Sequence, residues 1–152
     1  MAALSFREAT MQLVCPAGNL PALQAAVAAG ANAVYAGFRD QTNARAFPGL
    51  NFSDDELRAG VRYAHAKGAK VYLALNTYAD SARVRDWYSA VDKAAALGCD
   101  AIIAAEMAVL DYAARTHPGL PRHLSVHGSA TTAPALKYAF ERFGISRAVL
   151  PR

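Results

Sequence analysis

One pattern constrains this chain more than any other. A helix-like stretch ends in glycine, two or three residues follow, and a short apolar run begins. Gly30 leads to Ala33-Val34-Tyr35-Ala36, and Gly68 to Val71-Tyr72-Leu73-Ala74-Leu75. Gly98 leads to Ala101-Ile102-Ile103-Ala104, and Gly144 to Ala148-Val149-Leu150. Glycine suits the left-handed residue that ends a helix, after which a short loop feeds a strand. Apolar runs bounded in this way read as buried parallel strands.

The intervening helices carry their own signals. Asn19 caps a helix with Leu20, Leu23 and Val27 on one face. Ser53 and Glu56 form a capping box, with Phe52 and Leu57 as its hydrophobic staple. A third helix begins near Asp80 or Ser81 and is marked by Val84, Trp87, Tyr88 and Val91. Met107, Leu110 and Ala114 mark a fourth, stopped by Pro118, and Leu136, Ala139, Phe140 and Phe143 a fifth. With the opening run Gln12-Leu13-Val14 and the run from His123 to His127, strands and helices alternate strictly. Parallel strands need crossover connections, so strict alternation means a parallel sheet.

Two architectures satisfy that rule, an open doubly wound sheet and a (β/α)8 barrel. The pattern ends at Pro151-Arg152 as the sixth strand ends, with no closing helix, which would leave a hydrophobic sheet edge. The preferred reading is therefore an α/β fold, a partial (β/α)8 TIM-like barrel of six parallel strands and five helices. Residues 1–10 read as an N-terminal extension, and residues 11–152 as the N-terminal half of a barrel domain cut short. An unclosed sheet of this kind predicts self-association.

Composition excludes several classes. With 54% hydrophobic and 18% charged residues the chain is not disordered. It has no apolar run long enough to span a membrane, and Met1 to Thr10, with Arg7 and Glu8, is not a secretory signal. The expected location is the cytoplasm, with Cys15 and Cys99 as free thiols. Two cysteines make neither a disulfide framework nor a four-cysteine metal site. The net charge of +4 permits an anionic partner, but the basic residues are scattered, and no DNA-binding surface is expected.

In either parallel architecture ligands bind at the carboxyl ends of the strands. After the first strand comes Pro16-Ala17-Gly18-Asn19, which reads either as part of the site or as a tight turn with a cap, and is not a dinucleotide loop. After the second comes a long loop, Gly37 to Asn51, with Arg39, Asp40, Thr42, Asn43 and Arg45. Loops of that length at this end are often functional. Asn76 and Thr77 follow the third strand, Asn76 also reading as a helix cap. Glu106 follows the fourth and doubles as a first-turn acid. Ser125, His127 and Ser129 belong to the fifth, and Arg152 follows the sixth.

On a strand, His123, Ser125 and His127 face the barrel interior while Leu124 and Val126 face the helices. His123 and His127 then stand about 13 Å apart and cannot share one ion. Ser125 and His127 are about 6.6 Å apart at the backbone, which is no catalytic pair. Cys15 reads as structural. Tyr35, Tyr72 and Tyr78 are tied to strand positions and read as core or pocket lining. The substrate-binding candidates are Asn43, Arg45, Asn76, Thr77, Glu106, Ser125 and His127. No catalytic residue and no metal ligand is assigned.

Four segments resemble a known family. The stretch from Met11 to Leu20, MQLVCPAGNL, is similar to the opening strand and turn of the collagenase-like peptidases, family U-thirty-two. Asp40 to Arg45 (DQTNAR), Asn76-Thr77 and Ser125 to Thr131 (SVHGSAT) resemble its UbiU-like branch, which serves oxygen-independent ubiquinone hydroxylation. The likeness runs from Met11 to Arg152. It implies a barrel-like front half followed by a second half of similar size, whose four cysteines hold a [4Fe-4S] cluster. It also implies a homologous UbiV-like partner subunit and a sterol-carrier-type lipid-binding protein. Cys15 and Cys99 are not the cluster ligands, so this chain alone is expected to be inactive in hydroxylation. The chain departs from the branch at His127, where Gln is usual, and at Thr132, where Asn is usual. Alternatives are a collagenase-like peptidase, an RNA-base hydroxylation protein and a non-catalytic partner-binding half barrel. The peptidase lacks support from any nucleophile–base pair or metal set.

Overall fold

A computed structural model describes residues 11–151. The elements run β1 (Val14–Pro16), α1 (Leu20–Ala28), β2 (Ala33–Ala36), α2 (Asp54–Ala66), β3 (Lys70–Leu75), α3 (Val84–Ala96), β4 (Ala101–Ala104) and α4 (Met107–Thr116). They continue with β5 (Arg122–Leu124), a one-turn 3-10 helix (Val126–Gly128), α5 (Ala133–Phe143) and β6 (Ile145–Ala148). All strand pairs are parallel, and the sheet order is β1-β2-β3-β4-β5-β6. A doubly wound sheet reverses its strand order at a switch point; this one never does, which is the barrel pattern. Six parallel strands and five helices thus form the partial barrel read from the sequence. The expected extension, residues 1–10, lies outside the described residues.

The local reasons are those the sequence announces. Gly30, Gly68, Gly98 and Gly144 adopt φ of 97°, 75°, 78° and 60°, a region open to glycine at little cost. Asn19 accepts from the Ala22 N–H at 2.8 Å. Ser53 and Glu56 close both arms of their box, at 3.3 and 2.8 Å. Phe52 and Leu57 are fully buried beside it.

Helices cover one face of the sheet. Val34, Val71, Leu73, Leu75, Ile102 and Leu124 point that way and join Leu23, Leu57, Val91, Val109 and Leu110 in the main core. The other face is concave and carries the alternate residues. Ala33, Tyr72 and Ala101 form a second, smaller cluster there, with Val14, Tyr35 and Ile103 packed against it.

Several expectations shift. β1 starts two residues later than the run at Gln12. β6 runs Ile145–Ala148 and so ends where the apolar run was expected to begin. Helix α3 begins at Val84, because Ser81 to Arg83 form a turn with the Ala82 N–H on Asp80. Phe140 is 64% exposed rather than on the buried face of α5, which buries Ala139 and Phe143. The strand expected to reach His127 stops at Leu124, where Ser125 caps the 3-10 turn.

Candidate functional site

The concave face and the loops at the strand carboxyl ends enclose a cleft of about 730 Å³. Its floor is apolar and aromatic, formed by Val14 of β1, Tyr35 of β2, Tyr72 and Ala74 of β3, and Ile103 of β4. Its rim is polar, with Asn43, Arg45, Asn51, Asn76, Ser125 and His127, and with Phe47 and Leu50 overhanging from the long loop. The five candidates Asn43, Arg45, Asn76, Ser125 and His127 are brought together here.

The long β2–α2 loop is built rather than merely solvated. Asn43 is buried, donates from Nδ2 to the Phe38 carbonyl at 3.3 Å, and accepts the Arg45 N–H at 3.1 Å. Gly37 makes this possible, since any Cβ there would run into the Asn43 side chain. Asn51, at φ 73°, sits in the left-handed region that Asn tolerates better than most residues. Its Nδ2 donates to the Arg45 carbonyl at 2.6 Å and its backbone N–H to Gly18 at 2.5 Å, tying the loop to the β1–α1 turn. The carboxyl group of Glu56 is held below its usual range by the Ser53 backbone N–H and then by Arg39, 2.5 Å away.

Asn76 does not cap the next helix. Its Oδ1 accepts the Ala44 N–H at 3.0 Å, and its carbonyl meets His127 Nδ1 at 2.9 Å. Tyr78, beyond the end of β3 and 61% exposed, donates its hydroxyl to the His127 carbonyl. Loops from β2, β3 and β5 are thereby linked across the mouth of the cleft.

Two candidates fall elsewhere. Thr77 accepts from Trp87 Nε1 at 3.2 Å and donates to the Gln41 carbonyl at 2.6 Å, which makes it a brace behind the loop. Glu106 is the N-cap of α4, accepting the Ala108 N–H at 3.5 Å, and is not in the cleft lining. His127 lies on the 3-10 turn, so the strand spacing expected between it and His123 does not apply. Arg152 lies outside the described residues.

The sequence reading placed His123 on the interior but did not rank it, and it missed Arg147. His123 is buried, with its ring edge-on to Tyr72 at 4.8 Å. Burial, then the nearby charges of Arg147 and Lys70, push its pKa down to about 4, so it is neutral at pH 7. Arg147 lies over the Tyr72 ring at 5.5 Å and donates to Gln12 Oε1 at 2.6 Å. The signal for Arg147 is the alternation within Ile145-Ser-Arg-Ala148, masked by the more apolar run that follows it.

The thiols offer no site. Cys99 is buried in the main core, and its pKa is pushed up to about 12 by burial and by Asp100. Cys15 is partly buried against the same core. A four-cysteine cluster does not fit these residues. Among the described residues no group of three His, Cys, Asp or Glu side chains is placed to hold a metal ion.

The sequence profile of Peptidase family U32 matches residues 18–152. The chain belongs to this family. A U32 peptidase of known structure superposes on 99% of this chain and 62% of its own, with TM-score 0.73 and 15% identity. A thiamine phosphate pyrophosphorylase from Pyrococcus furiosus follows the same path at TM-score 0.62 and 14% identity. Likeness at such identities speaks for the fold alone.

Curated relatives are closer in sequence. The tRNA hydroxylation protein P of Escherichia coli K12 is 30% identical over 146 residues, covering 93% of this chain and 30% of that protein. The tRNA hydroxylation protein P1 of Bacillus subtilis is 33% identical over 147 residues, 93% and 33% of the two chains. A collagenase of Porphyromonas gingivalis is 33% identical over 132 residues, 87% and 31%. This chain spans about a third of the length of these relatives.

Proposed function

We propose that this chain is the substrate-orienting part of a hydroxylation protein of the U32 family, acting on a planar ring. The observation that carries this reading is the cleft itself. An apolar floor with two tyrosines accepts a flat ring, and the polar rim can hold the ring's substituents in place. The relatives named for tRNA hydroxylation support hydroxylation as the reaction class. The segments Asp40 to Arg45 and Ser125 to Thr131, with their likeness to the UbiU-like branch, favour the ubiquinone ring as acceptor. The iron–sulfur cluster, the homologous subunit and the lipid-binding protein implied by that likeness would all come from outside this chain.

Within the cleft the chain's own groups bind and exclude water. Arg45 offers a bidentate grip on an anionic or carbonyl-bearing substituent. Phe47 and Leu50 cover the ring. The peptidase reading finds no support in the geometry. Ser125 Oγ accepts the His127 backbone N–H at 3.2 Å, and the imidazole Nδ1 is turned to Asn76. The serine and the imidazole therefore make no nucleophile–base pair.

A second reading, hydroxylation of a tRNA base, is favoured by the names of the relatives. Deletion of the gene in its own host, grown without oxygen, separates the two. Loss of one oxygen from the quinone ring is the expected result. Loss of one oxygen from a tRNA nucleoside, with quinones intact, would establish the second reading. No change in either would overturn hydroxylation.

A further inference from the structure

We infer that His127 is the acceptor that selects a ring hydroxyl in the cleft, with Nε2 as the accepting atom, fixed by the backbone carbonyl of Asn76. The inference rests on the ring-hydroxylation reading above and deepens it.

The argument begins with the hydrogen on the imidazole. His127 Nδ1 lies 2.9 Å from the Asn76 carbonyl oxygen. A carbonyl only accepts, so Nδ1 must carry hydrogen. In the neutral ring the lone pair is then on Nε2. The turn that bears the ring is held from several sides. Its N–H donates to Ser125 Oγ at 3.2 Å, and its carbonyl takes the Tyr78 hydroxyl. Ser125 is almost fully buried and so gives that grip a firm base. Nε2 has no partner among the described residues.

The rest of the cleft makes this acceptor matter. The Asn43 amide is spent on the Phe38 carbonyl and the Arg45 N–H, and the Asn51 amide group on the Arg45 carbonyl. Asn76 Oδ1 is spent on Ala44. Among the described residues no Asp or Glu lines the cleft, whereas Arg45 and Arg147 both do. The unspent charged groups are donors, the two guanidiniums, and they recognise oxygens of a ligand that bear no hydrogen. Asn51 Oδ1 and the neutral ring of His123 are also open to a donor, but His127 is the imidazole at the mouth whose accepting nitrogen is fixed from the opposite side, and a ligand hydroxyl donates to it. A ring with one hydroxyl and several bare oxygens matches that inventory.

The test uses the protein at its full natural length. Nitrogen-15 labelling of histidine reads the His127 tautomer by NMR, and the Nδ1–H form is expected; an Nε2–H form would overturn the inference. Binding is then compared for a short-chain 2-prenylphenol and its methyl ether. The phenol is expected to bind about tenfold more tightly, the scale of one hydrogen bond in a closed site. His127→Ala is expected to remove that preference, and His127→Gln, which keeps an acceptor, to preserve it. Equal binding of phenol and ether by the wild type, or a preference surviving in His127→Ala, would overturn the inference while leaving ring hydroxylation intact. A parallel pair, uridine and 3-methyluridine, asks whether a base N–H takes the same place. Discrimination in that pair alone overturns the phenolic assignment in favour of a nucleobase. Failure of every ring compound to bind overturns the functional reading itself.

Discussion

The two faces of the sheet are built from the same strands to opposite ends. On the helix side Val34, Val71, Leu73, Leu75 and Ile102 are completely buried within the apolar main core. On the concave side the same strands show Tyr35, Tyr72, Ile103, His123 and Arg147 to a cleft. Two arginines sharpen the contrast. Arg122, on the helix side of β5, gives its Nε to the Phe143 carbonyl at 2.8 Å and Nη1 to the Leu120 carbonyl at 2.8 Å. It also reaches the carbonyls of His117 at 3.3 Å and Gly144 at 3.4 Å. Arg147, on the concave side of β6, lies over the face of Tyr72 and gives its guanidinium a single hydrogen bond among the described residues, to Gln12. One guanidinium completes the backbone of the α5–β6 corner, and the other keeps most of its donors for a ligand. Stability is concentrated on one face and binding capacity on the other.

Adjacent residues on β4 offer the hardest test of that division. Ile102 is fully buried on the helix side, while Ile103 is only partly buried over the cleft. Ile102→Ala should cost roughly 3–4 kcal/mol, because it opens a cavity the helices cannot fill. Ile103→Ala should cost about 1 kcal/mol, since water already reaches part of that side chain. Urea unfolding followed by the fluorescence of Trp87, which is 3% exposed, reads both. Equal losses would break the comparison.

The arginine pair comes next. Arg122→Leu strands buried carbonyls and should cost about 2–3 kcal/mol. Arg147→Leu should cost under about 1 kcal/mol on the same measurement, yet weaken binding of an anionic ring compound. If Arg147→Leu destabilises as much as Arg122→Leu, its role is structural.

His123 supplies a pH test of the concave face. Its folded pKa of about 4 lies below the ordinary histidine value of 6.5. Between those values the unfolded chain binds more protons than the folded one, so stability rises with pH there. The contribution is complete above pH 6.5 and is lost as the pH falls toward 4. The slope cannot exceed about 1.4 kcal/mol per pH unit for one group. His123→Leu should flatten the unfolding midpoint across that window. An unchanged slope would mean that His123 is not the buried neutral group described.

How legible these features were follows from the range of the interactions that make them. Elements with a local cause were readable. The glycine stops, the Asn19 cap and the Ser53–Glu56 box each involve residues three or four apart, and all stand where the sequence places them. The strand order could be inferred because alternation leaves few topologies. Most of the differences arise where distant contacts decide. Asn76 looks like a cap in sequence, but its partner Ala44 is 32 residues away. Thr77 looks like a rim residue until Trp87 and Gln41 claim its hydroxyl. Glu106 had two readings, and the helix terminus took the carboxylate. β5 ended early because Ser125 turns its side chain to the following N–H, a local competition that strand propensity does not register. Arg147 was hidden because a charged residue within a short strand reads as an edge or a loop until the sheet's concave face is known.

Arg45 gives the smallest expected effect on stability and the cleanest reading of the binding face. Its backbone is engaged on both sides, through the N–H to Asn43 and the carbonyl from Asn51, but its guanidinium has no partner among the described residues. Arg45→Ala therefore leaves the loop's hydrogen bonds in place and should change stability by less than about 0.5 kcal/mol. Affinity for a ring compound bearing a carboxylate should fall about tenfold or more, in line with the loss of a charge-assisted bond. Arg45→Lys should recover only part of it, because an ammonium cannot reproduce the planar two-point grip. Titration calorimetry on the three proteins decides the matter. A large stability loss would place Arg45 with Arg122 among the residues that hold the fold. Unchanged stability with unchanged affinity would remove it from the site and leave Arg147 as the cleft's anion-binding group.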